Sequence, residues 1–104
     1  MDIEKYPPSE QIKRAFAVLR VLSGHTVKGL TPSEIGKAIN EPLASNITRM
    51  LAQLNHLGIA EETREAGRWR LGPTVIQIAT AHQLDVARAK SELDEIEQRY
   101  SRSR

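Results

Sequence analysis

A chain of 104 residues with a net charge of +2 has room for one domain and an appended element, around a modest core. Without cysteine it forms no disulfide, thiolate zinc site or cysteine nucleophile, and 4% aromatic against 39% apolar residues favours a small helical core over a β-sandwich. No apolar run approaches the roughly 20 residues that span a bilayer, and MDIEKYPPSE lacks the apolar stretch of a signal peptide, so the expectation is a cytoplasmic protein with no membrane partner. Charge is unevenly spread: residues 1–72 hold ten Lys/Arg against eight Asp/Glu, and residues 73–104 hold five of each. The small positive excess therefore lies on the first two thirds of the chain.

Residues 1–8 read as a flexible arm, because the Pro7-Pro8 pair disfavours helix. Ser9 then suits an N-cap. The segment EQIKRAFAVLRVLSG places Ile12, Phe16, Leu19 and Leu22 at helical spacing, with Ala15 and Val18 flanking them, and Gly24 as a stop. HTVKGL is a connection. Thr31-Pro32-Ser33-Glu34 signals the start of a second helix: threonine caps, proline suits the first helical position, and Glu34 can reach back to the cap. Ile35, Ala38 and Ile39 form its apolar stripe, and Asn40-Glu41-Pro42 breaks it.

A third helix is predicted from about Leu43 to Leu57, with Leu43, Ile47, Met50, Leu51, Leu54 and Leu57 on one face. Ser45, Thr48, Arg49, Ala52 and His56 lie opposite, with Asn46 and Gln53 to the side. Gly58 fits the left-handed position after a helix. Ile59 to Glu61 and Arg68 to Leu71 read as two short strands around a polar loop at 63–67, and Gly72-Pro73 ends the second. From Thr74 to Tyr100 there is neither glycine nor proline, which predicts a long helix. Val75, Ala79, His82, Val86, Ala89, Leu93, Ile96 and Tyr100 follow steps of four and three, a heptad seam interrupted by one histidine and two alanines. Residues 101–104 read as a disordered tail.

The expected architecture is thus mainly α: a winged helix-turn-helix over 9–73, of three helices and a two-stranded wing, and a long C-terminal helix over 74–100. Such a unit turns one helix's polar face outward, where a DNA major groove accepts it. Arg49 can donate a bidentate pair to guanine, Asn46 can read adenine, and Ser45, Thr48 and Gln53 reach phosphates or base edges. Thr31 and Ser33 at the start of the second helix join the candidate set, as do Arg64 and Arg68 of the wing, placed for backbone or minor-groove contact. Trp69 alternates with Arg68 and Arg70 and should face the core. His25, His56 and His82 have no metal-ligand spacing, and no nucleophile–base pair, phosphate loop or dinucleotide fingerprint is present. The expectation is a binding protein without catalytic residues, metal or cofactor.

Arg14-Ala15 with Val18-Leu19, LTPSEIGKAI (30–39), ITRMLAQLNHLGIAEE (47–62) and above all GRWRLGP (67–73) resemble the N-terminal DNA-binding domain of the IclR family of bacterial transcription regulators, over roughly residues 10 to 80. The resemblance implies DNA binding and dimerisation. Two departures accompany it. The segment from Pro42 to Ile47 is one residue longer than the family's usual turn, with Leu43-Ala44-Ser45-Asn46 where Lys-Ser-Thr is common. The resemblance also stops short of an effector-binding domain, so no small-molecule effector is implied. The functional expectation is a small homodimeric regulator that binds double-stranded DNA, with Val86, Leu93, Ile96 and Tyr100 as dimerisation positions. The competing expectation is a protein-interaction module that docks through its C-terminal helix.

Overall fold

In the computed structural model, which describes residues 1–102, a single 3-10 turn at Ile3–Lys5 precedes α1 (Glu10–Leu22), α2 (Pro32–Ile39), α3 (Ala44–His56), β1 (Ala60–Glu62), β2 (Trp69–Leu71) and α4 (Pro73–Arg102). This is a winged helix-turn-helix followed by a long helix. It divides into two units, residues 1–74 and 75 onward.

Local chemistry sets each boundary in the first unit. The Ser9 hydroxyl accepts the Ile12 N–H at 3.1 Å and opens α1. Thr31 and Glu34 form a complete capping box at the start of α2: the Thr31 hydroxyl accepts the Glu34 N–H at 3.2 Å, and Glu34 accepts the Thr31 N–H at 3.0 Å. Asn40 closes α2 in the left-handed region at φ 60°, a conformation asparagine tolerates better than other non-glycine residues. α3 ends in a Schellman motif: Gly58, at φ 72°, donates to Asn55 O at 3.0 Å while Ile59 donates to Leu54 O at 2.9 Å.

The core is Val18 and Leu22 of α1, Leu30, Ile35 of α2, Ile47, Met50, Leu51 and Leu54 of α3, and Ala60 of β1. Trp69 and Leu71 pack against it half-buried, so the tryptophan faces inward as its alternation with charged residues suggests. The ends of the α3 stripe differ from expectation. Leu43 is the N-cap rather than a core position, and Leu57 is the C-cap; both are exposed.

The inward face of α1 also differs. Val18, Leu22 and the half-buried Ala15 and Val21 face the core, whereas Ile12 and Phe16 are 63% and 61% exposed. The face is rotated by about one residue step of 100° from the one that spacing suggested. Apolar residues cover more than half of this helix, so periodicity alone does not choose a side.

β1 and β2 pair antiparallel, with Ala60 opposite Leu71, Glu61 opposite Arg70 and Glu62 opposite Trp69. A single bridge adds Leu30 to the outer edge of β2, its N–H and carbonyl exchanging hydrogen bonds with Trp69 at 2.9 and 2.8 Å. The chain just before α2 is thereby stitched to the wing's stem.

α4 runs without a break for 30 residues, and none of them is buried. It takes in Ser101 and Arg102, which the sequence had suggested as tail; residues 103 and 104 lie outside the described residues. Among the described residues, no helix is long and apolar enough to cross a membrane.

Candidate nucleic-acid interface

The outward row of α3 follows from its buried row. With Ile47, Met50, Leu51 and Leu54 inside, a rotation of 100° per residue sets Ser45, Arg49, Ala52 and His56 on the opposite side, and all four are exposed. Asn46 and Gln53 lie toward α1, where they share a cleft with Gln11, Arg14, Arg49 and Met50. On the other flank, Ser33 and Lys37 of α2 and its C-cap Asn40 form a concavity with Pro42 and Ala44 at the entrance to α3.

The nine candidate contact residues divide by what they already bind. Ser33, Ser45, Arg49, Gln53 and Arg64 are exposed and hold no hydrogen-bond or ion-pair partner among the described residues. The other four are engaged within the chain. The Thr31 hydroxyl is the α2 cap. The Thr48 hydroxyl donates back to Ala44 O at 3.1 Å, a bond that leaves its methyl as the freer group. The Asn46 amide donates to Glu41 at 3.4 Å.

Arg68 is the most committed of the four. Its Nε donates to Lys28 O at 2.9 Å, its guanidinium also donates to Gly29 O at 3.1 Å, and it lies 3.4 Å from the Glu34 carboxylate. A guanidinium holding two carbonyls and a carboxylate has little left for a phosphate, so in this structure Arg68 fastens the wing. Arg70 is likewise paired, with Glu61 across the ladder at 3.2 Å. Arg64 is the free cation of the wing's loop, and it lines a cleft with Lys28, Thr26 and Thr63.

The same surface also contains groups that periodicity did not single out. Lys37 is exposed, unpaired and one helical turn beyond Ser33, so α2 contributes a cation next to the start of α3. Its place one turn after Ser33, in the helix that Thr31 caps, was the available signal. Arg14 and Glu41 form an ion pair at 3.0 Å that ties α1 to the turn; no local pattern announces a contact between positions so far apart.

Among the described residues, Glu34 carries the one clear electrostatic perturbation. The Thr31 backbone N–H and then the Thr31 hydroxyl hold its carboxyl below the ordinary value of 4.5, helped by the Arg68 guanidinium and His25 and opposed by desolvation. The group is an ionised cap whose charge faces both a helix N-terminus and the wing's anchor.

No family model matches the chain. It is 36% identical over 75 residues to HTH-type transcriptional regulator Rv1719 of Mycobacterium tuberculosis, an alignment covering 72% of this chain and 28% of that protein. The chain thus spans just over a quarter of the curated relative it matches. The similarity agrees with the helix-turn-helix architecture of the chain.

Proposed function

We propose that this chain is a sequence-specific DNA-binding transcriptional regulator of the IclR type. In this reading α3 lies in the major groove and the wing loop meets the backbone or minor groove. The observation that carries it is the pairing of a fully formed helix-turn-helix with an outward α3 row whose Ser45 and Arg49 are unoccupied. Similarity to a protein named as an HTH-type transcriptional regulator supports it, as does Lys37 unpaired beside the entrance of α3.

The working species in this reading is a homodimer, because one module reads few bases and two half-sites give a specific site. Val86, Leu93, Ile96 and Tyr100 on the α4 seam remain exposed in the single chain. Selection of bound duplexes from a random pool at two salt concentrations tests the proposal. We expect enrichment of a two-fold symmetric site and affinity that falls steeply with salt, as phosphate contacts release counterions. Arg49→Ala should flatten the preference at one position of each half-site, by about 1–3 kcal/mol. No binding to duplex DNA at low salt would reject the proposal.

A second reading rests on a separate observation: Ile12 and Phe16 of α1 are exposed apolar side chains. A protein-interaction module that uses these faces, or α4, to hold a partner would leave them just so. It predicts no sequence enrichment in the same selection.

A further inference from the structure

The turn between α1 and α2 presents a cation to the cleft of the wing. Thr26, Val27 and Lys28 form that turn, closed by the Gly29 N–H on His25 O at 2.9 Å. The wing pins it from the other side: Arg68 donates to Lys28 O at 2.9 Å and to Gly29 O at 3.1 Å. Gly29 sits at φ 66°, and any Cβ there would meet the Trp69 carbonyl and the Thr63 methyl, so the two backbones touch where only glycine fits. The backbone of Lys28 is therefore held, while its side chain is exposed and has no partner among the described residues.

That side chain lines the same cleft as Arg64, which is equally exposed and unpaired. The Thr26 hydroxyl, also without a partner, lies on the cleft too. Arg70, a third cation of the wall, is taken by Glu61 at 3.2 Å, and Glu65 is the one carboxylate among the lining residues. Two free cations and a hydroxyl donor against one carboxylate make an anion-accepting surface. Like charges on one cleft repel, so folding stability gives no reason for the pair.

We propose that Lys28 is a further DNA-binding residue: the turn before α2 is a second lip of the wing, and Lys28 takes an operator backbone phosphate beside the one that meets Arg64. This deepens the DNA-binding reading and rests on it. An ammonium is a compact charge with three rotatable donors, suited to phosphate oxygens and not to the fixed fork of a base edge. Such contacts carry no sequence information but fix the register of a module on the duplex. Because Arg68 already orders the turn, binding orders the lysine side chain alone. The wing and the segment leading into α2 are thereby set on the duplex together.

The test uses the full chain and a duplex enriched by random-pool selection. Affinities of wild type, Lys28→Ala, Arg64→Ala and the double variant are titrated at three or more salt concentrations. Lys28→Ala should weaken the enriched duplex and an unrelated one by similar factors, roughly fivefold at about 0.1 M salt. Its slope of log affinity against log salt should be shallower by about 1, and that of the double variant by about 2. Duplexes in which single phosphates are replaced by neutral methylphosphonates locate the contact. One phosphate per half-site should matter to wild type and to Arg64→Ala but not to Lys28→Ala, and a neighbouring one should show the reverse. Should alanine disturb the turn, Lys28→Gln keeps much of the stem; a melting temperature within about 2 °C of wild type qualifies a variant for comparison.

Unchanged affinity and slope in a folded Lys28 variant overturn the proposal. So does a shallower slope with no phosphate of its own, which marks a general field and not a contact, and so does a loss confined to particular bases. A wild-type chain that binds no duplex at low salt overturns the DNA-binding reading together with this one, whereas binding to which Lys28 is indifferent overturns this one alone.

Discussion

The Nε of Arg68 donates to the carbonyl oxygen of Lys28 at 2.9 Å, forty residues earlier in the chain. With its second bond, to Gly29 O, this arginine holds the segment before α2 against the wing. Arg68→Ala should therefore act on stability. Charged hydrogen bonds to backbone are worth about 1.5–3 kcal/mol and partial exposure reduces that, so a loss of about 1–2 kcal/mol is expected, at about 4–8 °C of melting temperature per kcal/mol for a domain of this size. A thermal melt by circular dichroism measures it.

Arg64 is the contrasting case. It is exposed and unpaired in the wing loop. Arg64→Ala should leave the melting temperature within about 2 °C of wild type, since surface substitutions away from specific contacts change stability little. Binding to all duplexes should weaken similarly, and the slope of log affinity against log salt should fall by about 1. Titrations at three or more salt concentrations read both quantities. An undiminished slope would remove Arg64 from the interface.

Acid should loosen the start of α2. Glu34 is held below its ordinary value of 4.5 chiefly by the Thr31 N–H and hydroxyl. A carboxyl with a depressed folded-state value contributes stability above its unfolded value and loses it as pH falls through the folded one. Wild type should thus be more stable than Glu34→Gln at pH 7, and the gap should close below about pH 4.5, where the unfolded-state carboxyl begins to take its proton. Thr31→Ala removes the cap itself and should cost about 1 kcal/mol. Melts of the three proteins between pH 3 and 7 give both results.

Gly36 is the point of closest approach between α2 and the turn. Alanine is the better helix former by about 1 kcal/mol, yet its Cβ would stand 2.9 Å from the Glu41 carbonyl. Gly36→Ala should accordingly destabilise, by about 1–3 kcal/mol as overpacking does, despite the gain in propensity. Its melting curve decides the sign.

The α4 seam yields an oligomer prediction. Burying Val86, Leu93 and Ile96 against a second copy would gain roughly 1.5–3 kcal/mol for each fully covered side chain. Leu93→Glu with Ile96→Glu should convert a dimer into a monomer at tens of micromolar in analytical ultracentrifugation. A monomeric wild type at that concentration would discard the dimer.

Elements whose cause is local were legible from the residues. Thr31, Pro32 and Glu34 specify a capping box within four positions, Gly58 marks the end of α3, and Arg68-Trp69-Arg70-Leu71 alternates as a half-buried strand does. What could not be read depends on distant partners. The face of α1 is chosen by the packing of Val18 and Leu22 against the rest of the core, not by its own periodicity. Arg68 looks like a phosphate ligand until Lys28 O and Gly29 O are beside it. Glu41, between asparagine and proline, reads as a turn residue, and only the fold brings Arg14 to it. Asn46 suffers the same blindness: a free amide in sequence is a half-committed one in space.

The bridge between Leu30 and Trp69 has a consequence for the order in which the chain assembles. Both of its hydrogen bonds join residues on either side of α2 and α3, so closing it brings together positions distant in sequence. Contacts of such sequence separation form late, because the loop between them must lose its freedom before they can form. The amide protons of Leu30 and Trp69, both engaged in the bridge, should exchange with solvent more slowly than those of the wing loop. The join between the wing and the segment before α2 should thus close later than the local β1–β2 hairpin.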